Sequence, residues 1–259
     1  MKKSKIAVLV AMVVVLAFSL AACGGSDKSS SDKTVYKVGT EPTFPPFDTT
    51  DEDQNIVGLD MDLIKAIGED QGFDVEFENL SFDGLIPALK AGNIDIVAAG
   101  MNKDDEDRQK EVDFSDSYYE SKLFVAVTED NTTIKSVEDL TPDMKVAAQT
   151  GTTGASKVKE LKDAGKIKEA VILDGLDTCM MKLINGDVSA VINDKPVTEA
   201  YMKKQPDKIK MVGEALNAEN YGFAVQKGNT ELVEKINKGL KNIKENGTYD
   251  KLVDEWFNK

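Results

Sequence analysis

The sequence predicts an α/β fold built as two lobes, each a mainly parallel sheet flanked by helices. Short apolar runs alternate with amphipathic segments from Val35 to Gly100, in the order β-α-β-α-β. The same alternation returns between residues 145 and 196. Such alternation is typical of parallel strands covered by helices, and two units in succession indicate two lobes.

The N-terminus has the composition of an export signal followed by a tether. A basic start precedes an apolar run from Ile6 to Leu20, and small residues stand just before Cys23. The run is too short to be a convincing membrane span, so residues 1–22 are expected to be a signal peptide that is removed. Residues 23–33 are mostly small and polar and are expected to form a flexible tether.

The four residues that end the predicted signal, LAAC, resemble the bacterial lipobox. The resemblance implies that Cys23 takes a lipid, becomes the first mature residue and anchors the protein to the extracytoplasmic face of the membrane. The alternative is a signal peptide with an incidental cysteine. Only Cys179 would remain beside Cys23, so no internal disulfide is expected.

Composition excludes several classes of function. The 259-residue chain has a formal charge of −14, and removal of residues 1–22 takes away three lysines and no acid, which leaves −17. So acidic a protein is not expected to bind nucleic acid. The chain contains no histidine, which excludes Ser-His-Asp triads, Cys-His pairs and histidine-ligated metal sites. We expect neither a cofactor nor a metal.

The first half opens with a strand from Val35 and a proline-rich loop. Three prolines in residues 40–47, TEPTFPPF, end the strand. Apolar spacing then predicts a helix ending near Gly72, a strand at Val75–Asn79, a helix capped by Ser81 and a buried strand at Ile94–Gly100.

An acidic turn after the proline-rich loop imitates a calcium-binding loop. Asp51, Asp53 and Asn55 have the right spacing for the first ligands. The position that needs glycine holds Ile56, and the position that needs glutamate holds Asp62. We therefore predict a turn without a metal.

The second half repeats the alternation and ends in a long amphipathic helix. Trp256 and Phe257 are expected to pack the last segment down. The predicted elements are strands at Leu123–Val127, Lys145–Gln149, Ala170–Leu173, Val188–Asn193 and Tyr221–Gln226, and helices at Ala155–Ala164, Thr178–Asn185, from Pro196, and through Leu232 and Ile243 to Gly247.

Arg108 is the only arginine, while the other 31 basic residues are lysines. A guanidinium pairs two-pronged with a carboxylate, which an ammonium cannot do. A lysine-rich composition could also leave one solvated arginine by chance. Arg108, however, follows a predicted buried strand on a loop entering a short helix, and ligands of open α/β sheets bind outside the carboxyl ends of strands. This position indicates a site for one small anionic group.

Eight segments in order along the mature chain carry a family resemblance. Together they resemble the periplasmic or lipid-anchored solute-binding proteins for polar amino acids that feed ABC transporters. The segments are TEPTFPPF, VGLDMDLIKAI, SFDGLIPALKAGNIDIV, DRQKEVDFSDSYY, AAQTGTTG, DVSAVINDKP, YGFAVQKGN and NGTYDKLVDEWF.

The resemblance implies the two-lobed periplasmic-binding-protein fold of type II, with crossovers near Tyr118–Lys122 and Asn217–Tyr221. Residues 34–120 and 219–259 would form the first lobe, and residues 121–218 the second. A free amino acid would be trapped in the cleft by hinge closure, and a monomer would deliver it to an ABC transporter permease.

The resemblance also implies which residues bind the α-carboxylate and the α-ammonium of the amino acid. Arg108 matches the arginine that grips the α-carboxylate, assisted by the backbone N–H of Thr153 at a helix N-terminus. Asp194 matches the acceptor of the α-ammonium, although it could instead cap the helix from Pro196.

Gly100 and Asn102 fall where the family offers backbone groups and usually a hydroxyl. The segment between Gly100 and Arg108 is one residue longer than is usual in the family. Asn102, Lys103 or both would therefore bind the ligand in place of the hydroxyl. Phe44 and Phe82 match aromatic walls around the ligand, with core packing as the alternative for Phe82.

Glu41 matches an acidic position that contacts the distal end of the ligand. Gln149 matches a position where glutamine-binding relatives can carry a lysine, so Glu41 is expected to face the cleft unpaired. A cationic ligand end would relieve that charge. This predicts arginine, lysine, ornithine or histidine as ligand, with glutamine next. Alternatively, Glu41 faces solvent or pairs with Lys103.

Two other functions remain open on the same fold. One is a dehydratase-like enzyme, for which Glu41 would supply acid–base chemistry; we expect no enzyme. The other is a sensory binding lipoprotein that feeds no transporter.

Overall fold

The structure, a computed structural model, describes residues 33–258. The predicted signal peptide, Cys23 and the tether up to residue 32 lie outside this range. Within it, two five-stranded sheets flanked by helices form two lobes, and a small hairpin lies beside the first. No helix in the described range is long and apolar enough to cross a membrane.

The strands and helices have the following bounds. The strands are β1 Thr34–Thr40, β2 Thr49–Thr50, β3 Ile56–Val57, β4 Phe73–Asn79, β5 Ile96–Val97, β6 Val112–Phe114, β7 Tyr119–Thr128, β8 Lys145–Gln149, β9 Glu169–Leu173, β10 Ala190–Asp194, β11 Ile209–Tyr221 and β12 Ala224–Gln226. The helices are α1 Leu59–Gln71, α2 Phe82–Lys90, α3 Glu106–Glu111, α4 Thr153–Asp163, α5 Leu176–Ile184, α6 Lys195–Lys204, α7 Thr230–Glu245 and α8 Thr248–Phe257.

The expected two-lobed α/β class is confirmed, and each sheet is mixed. The first lobe has strand order β4-β1-β5-β12-β6, in which β1 runs parallel to β4 and β5. The second has order β11-β7-β10-β8-β9, in which β8 runs parallel to β9 and β10. β12 and β7 are antiparallel to their neighbours. β12 follows β11 without the helical crossover that a parallel connection requires, which explains the mixture.

Two long strands connect the lobes. β7 and β11 pair antiparallel, from Tyr119 opposite Tyr221 to Thr128 opposite Ile209, with an irregularity between Val212 and Asn217. Tyr221 also forms a bridge with Asn102 of the first lobe. The paired strands thus lie at both predicted crossovers.

Several predicted elements differ in detail from the structure. Of the predicted strand at residues 94–100, only β5 is strand, and Gly100 turns the chain with φ +53°. The predicted strand at residues 221–226 is split after Tyr221, and most of β11 was not predicted because its exposed residues hide the apolar alternation. Ser81 stands at the N-cap of α2 without a side-chain cap bond.

The predicted turn and C-terminal packing are confirmed. Asp51 closes the turn between β2 and β3 by accepting backbone N–H bonds from Asp53 and Asn55. Trp256 donates to Asp62 at 2.8 Å, and the Phe257 ring stacks on Tyr119 with centroids 5.2 Å apart.

Candidate ligand site

Arg108 is a buried side chain that joins the two lobes. Asp105 caps α3 by accepting from the Arg108 backbone N–H, which fixes where the side chain starts. Arg108 is 9% exposed, and its guanidinium donates to Asn102 O at 3.1 Å and to Gly151 O of the second lobe at 2.9 Å. Its Cζ lies 5.3 Å from the centroid of the Phe82 ring. A chance surface arginine is therefore the wrong interpretation.

Charge around Arg108 is negative. Burial lowers the pKa of the guanidinium, and the carboxylates of Asp105, Glu219 and Asp194 oppose that effect. The side chain stays protonated in this setting. It is thus a buried cation with a planar donor fork, which suits a ligand carboxylate.

Asp194 ends β10 and turns its carboxyl group toward the connecting strands. Its Oδ1 accepts from Ser121 Oγ at 2.9 Å and from the Tyr221 hydroxyl. Although it occupies the N-cap position of α6, it makes no side-chain cap bond there, so the alternative role as a helix cap is wrong. Burial, followed by the charge of Glu219, raises the pKa of Asp194 to about 8.

Glu219 on β11 is a site residue that the sequence analysis missed. Only 2% of it is exposed, and its Oε1 accepts from Asn217 Nδ2 at 3.1 Å. Burial raises its pKa, and the Thr153 side chain opposes this by hydrogen bonding. A usable signal was present, since Glu219 lies inside the predicted crossover, where both lobes meet.

Glu41 follows β1 and reaches across the cleft. Its Oε2 accepts from Gln149 Nε2 of the second lobe at 2.8 Å and from Thr43 Oγ1, also at 2.8 Å. The expectation of an unpaired Glu41 is therefore wrong, because neutral donors hold it. Its suggested partner Lys103 instead lies 3.6 Å from Asp104. Within the described range no ion pair involves Glu41, and burial raises its pKa.

Thr43 contributes further bonds between the lobes. Its Oγ1 accepts from the backbone N–H of Leu176 at 3.2 Å, and its carbonyl accepts from the Tyr201 hydroxyl at 3.0 Å. Neither Thr43 nor Tyr201 was singled out from the sequence, because hydroxyls in loops and helices carry no distinctive pattern.

Thr153 begins α4, whose N-cap is Thr152. Thr152 Oγ1 accepts from Ala155 N at 3.0 Å, so the cap already satisfies one of the N–H groups at this helix end. Gly151, whose carbonyl accepts from Arg108, stands two residues before this helix, and a helix N-terminus favours an anion.

The segment from Gly100 to Lys103 is largely occupied by internal bonds. The Gly100 N–H donates to Asp60 Oδ2 at 2.8 Å, so this N–H is not available to a ligand. Asn102 Oδ1 accepts from Asp104 N at 3.1 Å and from Asn220 N at 3.3 Å. Within the described part of the chain the Asn102 Nδ2 group makes no hydrogen bond, so we expect it to bind the ligand where the family usually has a hydroxyl.

The two aromatic candidates differ in setting. Phe44 is 7% exposed, packs against the rings of Phe47 and Tyr221, and lies close against Gly100. Phe82 lies under the Arg108 guanidinium. Phe82 therefore supports the cation, and Phe44 is mainly packed in the first lobe.

A second buried carboxyl pair lies behind the site. Asp48 accepts from Thr40 Oγ1 at 2.7 Å, and Asp60 accepts from the Tyr118 hydroxyl at 2.7 Å. The other oxygen of each aspartate has no hydrogen-bond partner among residues 33–258. Burial raises the pKa of both, that of Asp60 to about 7. The described residues contain no cluster of three or more His, Cys, Asp or Glu suited to a metal.

Comparison with known proteins agrees with this geometry. The family described as "Bacterial extracellular solute-binding proteins, family 3" matches residues 36–259. The "Putative ABC transporter arginine-binding protein 2" of Escherichia coli (strain K12) is 34% identical over 265 residues, covering 100% of both chains. These relatives are binding proteins and not enzymes.

Two solved structures are similar over nearly the whole described chain. "An ancestral arginine-binding protein bound to arginine" has a TM-score of 0.82 and 45% identity, covering 87% of this chain and 99% of its own. A second structure, "An ancestral arginine-binding protein bound to glutamine", has a TM-score of 0.80 and 46% identity, covering 88% of this chain and 99% of its own. The chain belongs to the bacterial extracellular solute-binding proteins, family 3.

Proposed function

We propose that this chain is a lipid-anchored binding protein that captures a basic amino acid between its lobes and delivers it to an ABC transporter permease. Arg108 and the N-terminus of α4 hold the α-carboxylate, and Asp194 holds the α-ammonium. Glu41 holds the cationic end of the side chain, beside Gln149. The membrane contact is the lipid on Cys23, and the protein acts as a monomer on the extracytoplasmic face.

The observation that carries the choice of a basic ligand is the setting of Glu41. It is a buried carboxylate that spans the lobes and is held by the neutral donors of Gln149 and Thr43. Desolvation without a cation is costly for a carboxylate. A ligand that brings a guanidinium or ammonium to Glu41 should therefore bind with a more favourable free energy than one that brings a neutral group. Relatives named for arginine support the same choice.

Glutamine is the second candidate, and a specific contact favours it. The Gln149 amide bonds to Glu41 at 2.8 Å, so a neutral amide fits this carboxylate. The arginine-binding relative that was solved with glutamine has the same fold.

The test is calorimetry with L-arginine, L-lysine, L-ornithine, L-histidine, L-glutamine and L-glutamate. We expect the basic amino acids to bind most tightly, and Glu41→Gln to reduce their advantage over glutamine by about tenfold or more, as loss of a charged hydrogen bond of about 1.5–3 kcal/mol implies. The matched control is Glu52→Gln, which makes the same change at an exposed position. An unchanged ranking in Glu41→Gln, or L-glutamate as the tightest ligand, would contradict the assignment.

Delivery to a transporter is tested separately. A deletion strain is expected to lose uptake of the radiolabelled ligand, and the cloned chain to restore it. Normal uptake in the deletion strain, together with binding by the purified protein, would favour a sensory role.

A further inference from the structure

Asp194 and Glu219 lie on different strands and meet beside Arg108. β7 runs between β10 and β11, and Ser121 on β7 stands opposite Glu219 in the register. The Ser121 hydroxyl donates to Asp194 on its other side. Both carboxyl groups are buried, and each lies close enough to the other to change its pKa. Two ionised carboxylates only accept hydrogen bonds and repel each other, whereas one proton on the pair removes the repulsion.

The surroundings of the pair hold a guanidinium and neutral donors. Arg108 on α3 interacts with both carboxylates and also with Asp105 at the start of its own helix. Neutral groups from β7, β11 and α4 contact the pair. The hydroxyls of Ser121 and Tyr221 donate to Asp194. The Asn217 amide and the Thr153 side chain bond to Glu219.

One guanidinium balances one of the two carboxylates. Among residues 33–258 the second has no cation of its own, and a buried carboxyl group in that position is cheaper as a neutral acid. The pKa directions agree, since burial and then Glu219 raise the pKa of Asp194 to about 8, and burial raises that of Glu219. At neutral pH the pair therefore keeps one proton.

We infer that Glu219 is a positioning residue that keeps a proton on the Asp194–Glu219 pair, and that the ligand's α-ammonium expels this proton when it binds. The inference rests on the proposed function, in which Asp194 accepts the α-ammonium. The O–H bond of the carboxylic acid breaks, the proton passes to the solvent, and the ammonium charge takes its place. At the pair itself one positive charge, that of the proton, is exchanged for another, that of the ammonium.

Proton release links affinity to pH. Ligand binding that expels one proton strengthens as pH rises, by up to about tenfold for each pH unit in the range where the free pair is protonated. The same linkage predicts weak capture in acid, where the proton competes best with the ammonium.

The experiment is titration calorimetry of the exported protein at pH 6.5 in buffers that differ in ionisation enthalpy. L-arginine and L-glutamine are the probes, and L-glutamine is included because its neutral side chain leaves the charge of Glu41 unmatched. The expected binding heat varies linearly with buffer ionisation enthalpy, with a slope of about one proton released. In Glu219→Gln the amide can donate to Asp194, so we expect no buffer dependence and tighter binding than wild type at pH 5.5.

The matched control is Glu41→Gln, which alters the other buried acid of the cleft and is expected to keep the proton release. If Glu219→Gln does not fold, infrared difference spectra of the wild type decide, because the carbonyl absorption of one protonated carboxyl group should be lost on adding L-arginine, while that of Asp48 and Asp60 stays. Binding without proton release overturns the inference alone. Proton release that persists in Glu219→Gln and disappears in Glu41→Gln overturns it too. Absence of binding by any amino acid overturns the proposed function and this inference with it.

Discussion

Gly151 is the position where a single methyl group is expected to oppose closure of the lobes. It lies in the turn after β8, has φ +78°, and offers its carbonyl to Arg108 of the first lobe. A Cβ atom built there would lie 2.9 Å from the Asp83 Cβ and 3.1 Å from its Cα on α2. Real side chains do not approach that closely, so Gly151→Ala forces the turn and α2 apart.

The size of the effect follows from two separate costs. A non-glycine residue with positive φ loses about 1–2 kcal/mol of stability wherever it stands. The contact with Asp83 joins the two lobes and is expected to be lost when they open, and overpacking typically costs about 1–3 kcal/mol. At about 1.4 kcal/mol for each factor of ten, the closed state and the affinity should weaken by about 5- to 150-fold.

A matched variant separates the two costs. Gly186 also has φ +78°, lies in the same lobe, and has open space where a Cβ would stand. Gly186→Ala should therefore lose similar stability and keep its affinity for L-arginine in calorimetry. Equal affinities in the two variants would refute the reasoning and show that the lobes close without bringing Gly151 against Asp83.

Three further outcomes are expected. Arg108→Lys should weaken amino-acid binding by about 2–5 kcal/mol in calorimetry while circular dichroism stays unchanged, since the ammonium keeps the charge and loses the fork; unaltered affinity would remove Arg108 from the site. Cys23→Ser should move the protein from membranes to the soluble exported fraction, and a variant still bound to membranes would disprove the lipid anchor. Because the pKa of Asp60 rises from 3.8 to about 7 on folding, the folded state binds more protons between these values and stability falls as pH rises through them. Asp60→Asn should flatten that fall in urea unfolding from pH 4.5 to 7.5, and an identical slope in both proteins would count against a protonated Asp60.

The fold was predictable where the period of apolar residues is regular. β8 and β10 could be predicted as strands because each contains three consecutive apolar, buried residues, and α7 shows its apolar stripe over four turns. β11 was largely missed because its central residues are exposed and it is held by pairing with β7. Backbone pairing of that kind leaves little trace in side-chain pattern.

Some residues of the candidate site could also be predicted from the sequence, and others could not. Arg108 could be placed because it follows a predicted strand end, where clefts of α/β sheets form, whereas the role of Asp194 was inferred only from the family resemblance. Glu219 lies inside the predicted crossover but was missed, because its importance comes from its position across β7 from Asp194, and the strand register that creates this position is not visible in the sequence. Gln149 was placed correctly opposite Glu41, but its bond to that carboxylate depends on how far the lobes close.

Two hydrogen bonds between the lobes explain why a basic amino acid should be preferred. Arg108 bonds to the Gly151 carbonyl, and Glu41 bonds to the Gln149 amide. In the proposed function Arg108 and Glu41 hold opposite ends of the ligand, so the ligand replaces both hydrogen bonds. Its affinity then depends on the difference in free energy between the bonds that it forms and the bonds that it breaks. Its carboxylate exchanges a neutral acceptor for a charged one at Arg108, whatever its side chain. At Glu41, glutamine exchanges one amide for another, whereas arginine exchanges an amide for a cation, and charged hydrogen bonds are about twice as strong. The gain at Glu41 is therefore specific to basic ligands, and it is this gain that Glu41→Gln should remove.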